Sequence, residues 1–218
     1  MSRQELEDVI SELGQPKFRA KQLYEWLHTH LACSYDEMSN LPKSLRDALS
    51  EKHPLNAPNI IDKQTSRDGT RKYIFELEDG NTVETVGMPS FSESGEEGRL
   101  SVCFSTQVGC PMGCEFCATG KEGFTRNLTA SEMIDQIIAV KNDFNHRVSN
   151  LVAMGQGEPF LNYDELLTAL RFLNDQNGPS IGARHITIST CGLIDGINQL
   201  AQEPEQFTLA ISLHSAIK

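Results

Sequence analysis

Apolar residues recur at helical spacing in the first quarter of the chain. Leu6, Val9, Ile10 and Leu13 lie three or four apart and Gly14 is a natural stop, which predicts a helix over 5–13. A second helix is predicted after Pro16, with Ala20, Leu23, Trp26 and Leu27 on one face, and a third after Pro42, through Leu45 and Leu49. Residues 1–55 thus read as a small helical domain. The period then changes to two. Residues 71–77 and 82–86 are strand-like runs joined by Glu78-Asp79-Gly80-Asn81, whose Asp-Gly step signals a hairpin. The segment 89–98 is rich in Ser, Glu and Gly without periodicity and is expected as a loop, so 56–98 reads as a β-hairpin extension and linker.

From Leu100 onward strands and helices alternate, the pattern of an α/β fold with a parallel sheet and right-handed crossovers. Strands are predicted over 100–107, 151–154, 185–189 and 207–213. The capping box Thr129-Ala130-Ser131-Glu132 opens a helix with Met133, Ile134, Ile137 and Ile138 inward. A second helix begins at Asn162-Tyr163-Asp164-Glu165, with Leu166, Leu167 and Leu170 inward, and a third spans 193–200. The chemically unusual residues follow these strands. A cysteine loop follows the first, Gly155-Gln156-Gly157-Glu158-Pro159 the second, Ser189-Thr190-Cys191-Gly192 ends the third, and Ser212-Leu213-His214 ends the fourth. In a closed or partly closed barrel these carboxyl ends converge on one face, where barrel enzymes place their chemistry.

Composition narrows the function. With 39% hydrophobic and 22% charged residues the chain has the make-up of an ordinary globular protein, and it contains no apolar run of about eighteen residues that could span a membrane. The net charge of -11 argues against a surface that grips nucleic acid all over, since neutralising phosphates requires Lys and Arg. A local basic face is still available from Lys17, Arg19 and Lys21, from Lys43 and Arg46, or from Arg67, Arg71 and Lys72; the same residues also fit solvated helix and hairpin faces. Six cysteines without an apolar leader at the start point to a reducing, cytoplasmic location with free thiols.

Cys110, Cys114 and Cys117 stand at C-x3-C-x2-C spacing. A cubane cluster has four irons, so three thiolates leave one iron open for a small-molecule ligand, and S-adenosylmethionine, chelating through its amino and carboxylate groups, fits this spacing. Cys103, seven residues upstream, offers the alternative of a four-thiolate structural zinc, although no second C-x2-C knuckle exists to pair with it.

Several segments together closely resemble the radical S-adenosylmethionine RNA methyltransferases of the RlmN/Cfr type. They are Val102-Cys103-Phe104-Ser105 with Gln107-Val108-Gly109, the cysteine loop, Gly123-Phe124-Thr125-Arg126-Asn127-Leu128, Met154-Gly155-Gln156-Gly157-Glu158-Pro159, Ile188-Ser189-Thr190-Cys191-Gly192 and Leu209-Ala210-Ile211-Ser212-Leu213-His214. The likeness extends to the helical domain and to Val83-Glu84-Thr85-Val86. It implies a partial (β/α) radical-SAM barrel over 99–218, incomplete at its carboxyl end, behind a helical RNA-binding domain. It also implies methylation of an adenine carbon, C2 in ribosomal or transfer RNA or C8 in ribosomal RNA, with the motifs closer to the C2 branch. In that chemistry one S-adenosylmethionine methylates a cysteine near the carboxyl terminus. A second is cleaved at the cluster, and the radical so formed activates the methylated cysteine to attack the base.

Carried onto this sequence, the resemblance implies a 4Fe-4S cluster on Cys110, Cys114 and Cys117 and S-adenosylmethionine contacts from Gly157, Glu158, Ser189, Ser212, Leu213 and His214. It makes Glu84 the acceptor of the proton that leaves the base. Cys103 becomes the thiol that resolves the protein–RNA crosslink by disulfide exchange; by itself it would be a buried small hydrophobe. It further implies rRNA and/or tRNA as substrate, an electron donor such as flavodoxin or ferredoxin, and a monomer. Glu158 could accept from the methionine ammonium, and glycine would let the backbone approach the ligand. Gly155 and Gly157 are not a dinucleotide fingerprint, since Phe160 stands where a third glycine would be. Phe116 fits either the cofactor adenine or the core. Cys33 and Cys191 receive no role. The chain departs from the family at Lys218, before the remaining strands and the methyl-carrying cysteine. The expectation is therefore a fragment or truncation, inactive in methyl transfer alone, with an exposed edge on its fourth strand.

Overall fold

The structure, a computed structural model, describes residues 3–55, 59–91 and 97–213. The chain divides into two compact units, Met1–Ala57 with Asn174–Ser180, and Pro58–Leu173 with Ile181–Lys218.

The first unit is helical. Helices α1 (Arg3–Glu12), α2 (Phe18–Tyr24) and α3 (Lys43–Lys52) bury Leu6, Val9, Ile10, Ala20, Leu23, Leu45 and Leu49 in a common core with Met38 and Leu41. The predicted second helix does not keep its period. After Tyr24 it widens into a π-helical turn, Glu25–His30, which ends at Leu31 in the left-handed region. That rotation buries His28, which stacks on Tyr24 at 3.9 Å, and leaves Trp26 and Leu27 only partly covered.

The second unit is built on one seven-stranded sheet. It contains β1 (Asn59–Thr65), β2 (Arg71–Glu76), β3 (Thr82–Phe91), β4 (Glu97–Phe104), β7 (Val148–Ala153), β8 (Ile186–Thr190) and β9 (Thr208–Ile211) in that order. The pairs from β1 to β4 are antiparallel, and β4, β7, β8 and β9 run parallel. A separate antiparallel ribbon joins β5 (Gln107–Gly109) to β6 (Phe124–Asn127), with the short helix α4 (Ala118–Glu122) between them. Helices α5 (Ala130–Phe144), α6 (Tyr163–Asn174) and α7 (Ile194–Leu200) connect the parallel strands. The mixed α/β fold with its parallel half matches the partial barrel expected from the sequence.

The described parts of the expected 89–98 linker are strand instead: β3 runs through Phe91 and β4 begins at Glu97, with Met88 facing Ser101 and Pro89 facing Leu100. Residues 92–96, the rest of that segment, lie outside the described residues. Strand β1 escapes any periodicity argument because all seven of its residues are exposed. It is held through its backbone ladder to β2 and by Lys63, whose ammonium meets Asp143 Oδ1 at 2.8 Å.

The register separates the two faces of the sheet. Tyr73, Thr85, Phe104, Ala153 and Ile188 project to one side, where α5, α6 and α7 supply Met133, Ile137, Val140, Leu166, Leu170 and Leu200 to the core. At the carboxyl end of α5, Asp143 accepts from Lys63, Arg71 and Tyr73, tying that helix to β1 and β2. Burial alone would raise the Asp143 pKa, but these three donors hold it down at about 2.

Candidate active site

On the opposite face a continuous row crosses six strands. Lys72 faces Val86, Val86 faces Cys103, Cys103 faces Val152, Val152 faces Thr187, and Thr187 faces Thr208. All are half-exposed or exposed. Glu84 and Ser189 lie two residues from this row toward the carboxyl ends of the parallel strands, on the same face because strand side chains alternate with period two. The two carboxylate candidates are thus separated in place: Glu84 is on the open face, held by Lys72 at 3.0 Å, and Glu158 is in a loop at the strand ends.

The cysteine loop hangs from β5. Gly109 has φ +73°, and any Cβ there would run into the Gly123 carbonyl, so only glycine lets β5 and β6 close beneath the loop. The Cys110 amide donates to that carbonyl at 2.8 Å, and the Cys117 amide donates to the Cys114 carbonyl at 3.0 Å. Burial raises the Cys110 pKa, an amide contact at Met112 opposes it, and charges on Cys114, Cys117 and Glu158 raise it further. Among the described residues no three His, Cys, Asp or Glu side chains are gathered as they would be around a single metal ion. A cubane spreads its thiolates over separate irons, so a half-exposed, looser set of three thiols fits it. Cys103 stands apart on β4. Burial raises its pKa, opposed by the Met154 amide, and its register neighbours are Val86 and Val152.

Glu158 is 3% exposed. Its own amide donates to Gln107 Oε1 at 2.8 Å, Oε1 accepts from the Phe160 amide at 3.2 Å, and Oε2 accepts from the Cys191 amide at 2.9 Å. The carboxylate expected to meet a ligand ammonium is therefore also a clamp between the loops after β7 and β8. Gly157, at φ +102°, packs so closely on Gln107 that a Cβ would lie 2.6 Å from its Cβ. Ser189 and Ser212 hydroxyls meet at 3.3 Å, joining the ends of β8 and β9. Leu213 is 68% exposed, and His214 lies outside the described residues. Phe116 is also 68% exposed, which removes the core-packing alternative for its ring.

Several participants carried no sequence signal of their own. Cys191 was left without a role, yet its thiol is pushed up to about 11 by burial, by Glu158 and by the charge of Cys114. Ser105 Oγ donates to the Glu84 carbonyl at 2.6 Å and accepts from the Gln156 amide at 2.9 Å. Gln136 of α5, buried among Met133, Ile137 and Val140, accepts from Thr85 and the Ser105 amide and donates to the Ser105 carbonyl. A lone amide on an apolar helix face was the available clue. Of the basic candidates, Arg46 is paired with Asp36, Arg71 with Asp143 and Lys72 with Glu84, whereas Lys17, Lys21 and Lys43 are exposed. All six cysteines are free thiols, so no disulfide links them.

A half-parallel α/β sheet with a three-cysteine loop following the β5–β6 ribbon agrees with what sequence comparison finds. Residues 104–216 match the Radical SAM superfamily, and the chain belongs to it. Residues 1–54 match the Ribosomal RNA large subunit methyltransferase N-terminal domain. Among curated relatives, the "Probable dual-specificity RNA methyltransferase RlmN" of Clostridium novyi (strain NT) is 44% identical over 97% of this chain and 60% of its own length. The protein of the same name from Nostoc punctiforme is 47% identical over 97% of this chain and 58% of its own. A solved radical SAM methyltransferase from Sphaerobacter thermophilus superposes with a TM-score of 0.86 at 42% identity, covering 99% of this chain and 62% of that one. The chain spans about three fifths of the length of these relatives. No helix among the described residues is long and apolar enough to cross a membrane.

Proposed function

We propose that this chain carries the cluster- and cofactor-binding part of a radical S-adenosylmethionine methyltransferase that acts on adenine C2 of ribosomal and/or transfer RNA. The observation that carries the reading is that Glu158 hydrogen-bonds β5 at Gln107 and the loop after β8 at Cys191, next to the three-cysteine loop that follows β5, in a chain whose first 54 residues match an rRNA methyltransferase domain. Cys110, Cys114 and Cys117 hold a 4Fe-4S cluster. When bound, the cluster and S-adenosylmethionine supply the one-electron chemistry needed by a carbon too weakly nucleophilic for ordinary methyl transfer. Gly157, Glu158, Ser189, Ser212, Leu213 and His214 hold the sulfonium ligand, and the Glu158 clamp fixes the height of the loops around it.

Glu84 receives the proton released from the base. Lys72 donates to its Oε1 at 3.0 Å and so orients the carboxylate on the open face. Cys103 sits in the same face, one row deeper, where it can meet a thiol delivered from beyond the cluster. Lys17, Arg19 and Lys21 draw RNA to the helical unit against the net charge of the chain, and the target base is turned out of its stack. A flavodoxin- or ferredoxin-type donor supplies electrons, in a cytoplasmic setting. Anaerobic purification and reconstitution test the reading. The expected result is about four irons and four acid-labile sulfides per chain, lost in Cys114→Ala. A folded, colourless protein with zinc and no sulfide would overturn it.

A further inference from the structure

The helical unit carries the large aromatic side chains of Phe18 and Trp26 outside its fully buried core, the second packed along the core's edge. Phe18, the first residue of α2, is 58% exposed, and the Arg19 guanidinium lies over its ring, 4.8 Å from the centroid. Arg19 is itself held, donating from Nη1 to Gln22 Oε1 at 2.7 Å and to the Asn40 carbonyl at 3.0 Å. The same Asn40 accepts the indole N–H of Trp26 at 2.6 Å through Oδ1. Trp26 in turn packs against His30, centroids 4.7 Å apart and planes tilted by 45°. This pairing lies within the π-helical turn, an expansion that recurs at functional sites. Asn40 thus links the Arg19–Phe18 cation–π pair and the Trp26–His30 ring pair into one strip. Between Gln15 and His30 the chain carries three cations, Lys17, Arg19 and Lys21, against one anion, Glu25, the reverse of its overall balance.

We propose that this strip, from Phe18 across Asn40 to Trp26 and His30, is a stacking platform for unpaired RNA bases, with Lys17 and Lys21 on the flanking phosphates. The proposal rests on the reading of RNA as the partner and adds how the helical unit engages it. Aromatic faces accept any base, and guanidinium stacking adds to them, so the contact recognises a single-stranded segment without a fixed sequence. A duplex keeps its base faces stacked and offers nothing to the rings.

Trp26 is the single tryptophan of the sequence, so its emission reports on the strip alone. The test titrates the chain with a short fluorophore-labelled single-stranded oligoadenylate at low salt, following Trp26 emission and the anisotropy of the label together. A saturable quench is expected, with affinity reduced about tenfold in Phe18→Ala and retained in Phe18→Tyr, and no quench by a blunt RNA duplex. Because Phe18 is exposed, the substitution leaves the core intact. If the oligonucleotide binds by anisotropy while Trp26 emission stays unchanged, or if Phe18→Ala binds as tightly as the parent, the platform is refuted and the RNA reading survives. If neither single strand nor duplex binds, both fall.

Discussion

The two faces of the central sheet use the same strands to opposite ends. On the helix-covered face Tyr73, Phe75, Val102, Phe104, Leu151, Ala153, Ile186 and Ile188 have essentially no exposure. On the other, one residue away along each strand, Lys72, Glu84, Cys103, Val152 and Thr187 are half-exposed, and only Ser189 is buried, against Ser212. Period-two alternation lets a strand place its stabilising side chain and its chemical side chain side by side without compromise. The sealed core lies on one face and the candidate site residues on the other, so substitutions should separate by face more than by position along the chain.

The largest expected loss is on the sealed face. Phe104→Ala should lower unfolding free energy by about 4 kcal/mol, read as a denaturant midpoint shift at constant m-value. A loss below about 1 kcal/mol would contradict the division. Gln136→Leu probes the polar link between the faces. It leaves the Thr85 hydroxyl and the Ser105 amide and carbonyl buried without their partner, and should cost about 3 kcal/mol despite adding apolar volume.

A smaller effect is expected at Asp135, whose pKa burial raises to about 7 with help from the charges of Glu132 and Glu78. The folded state then favours the protonated acid more than the unfolded chain does. The stability this lends is complete below about pH 4 and is lost as pH rises through about 7. Asp135→Asn should therefore melt above the parent at about pH 8, with the gap closing toward about pH 4. The smallest change is expected on the open face. Cys103→Ser should alter stability by about 0.5 kcal/mol and leave reconstituted iron and sulfide untouched. Loss of iron in that variant would place the strand thiol with the loop thiols and dissolve the distinction between them.

Much of this arrangement was legible in the sequence wherever a period or a turn fixed it. The Asp79-Gly80 hairpin, the Thr129–Glu132 capping box and the apolar faces of α1, α3 and α6 are all present, whereas α5 turns Gln136 and Val140 inward beside Met133 and Ile137 and leaves the expected Ile138 only partly covered. The capping box carries more than the helix start, because Arg126 grips Glu132 through two hydrogen bonds and reaches Asp79 of the hairpin turn with its Nε. That long-range fork has no local signature. Neither had β1, whose uniformly exposed residues leave no alternation to read, nor the π-helical turn, which shifts burial from Leu27 to His28 by one extra residue per turn. Placing Glu84 and Cys103 on one face required the pairing of β3 with β4, and the sequence hid it behind a stretch composed like a loop. The linking of Gln107, Glu158 and Cys191 was legible only as far as strand ends share a side. The hydrogen bonds that close it run through backbone groups, which every residue possesses and no residue type announces.

One small side chain ties these regions mechanically. The Ser105 hydroxyl bridges the Glu84 carbonyl and the Gln156 amide, while the Gln156 carbonyl accepts from the Thr106 and Gln107 amides. The antiparallel arm and the glycine-flanked loop are therefore riveted together at one oxygen atom. A displacement of either would carry the other with it, so the Glu84 strand and the Gln156–Glu158 loop move as a single rigid jig.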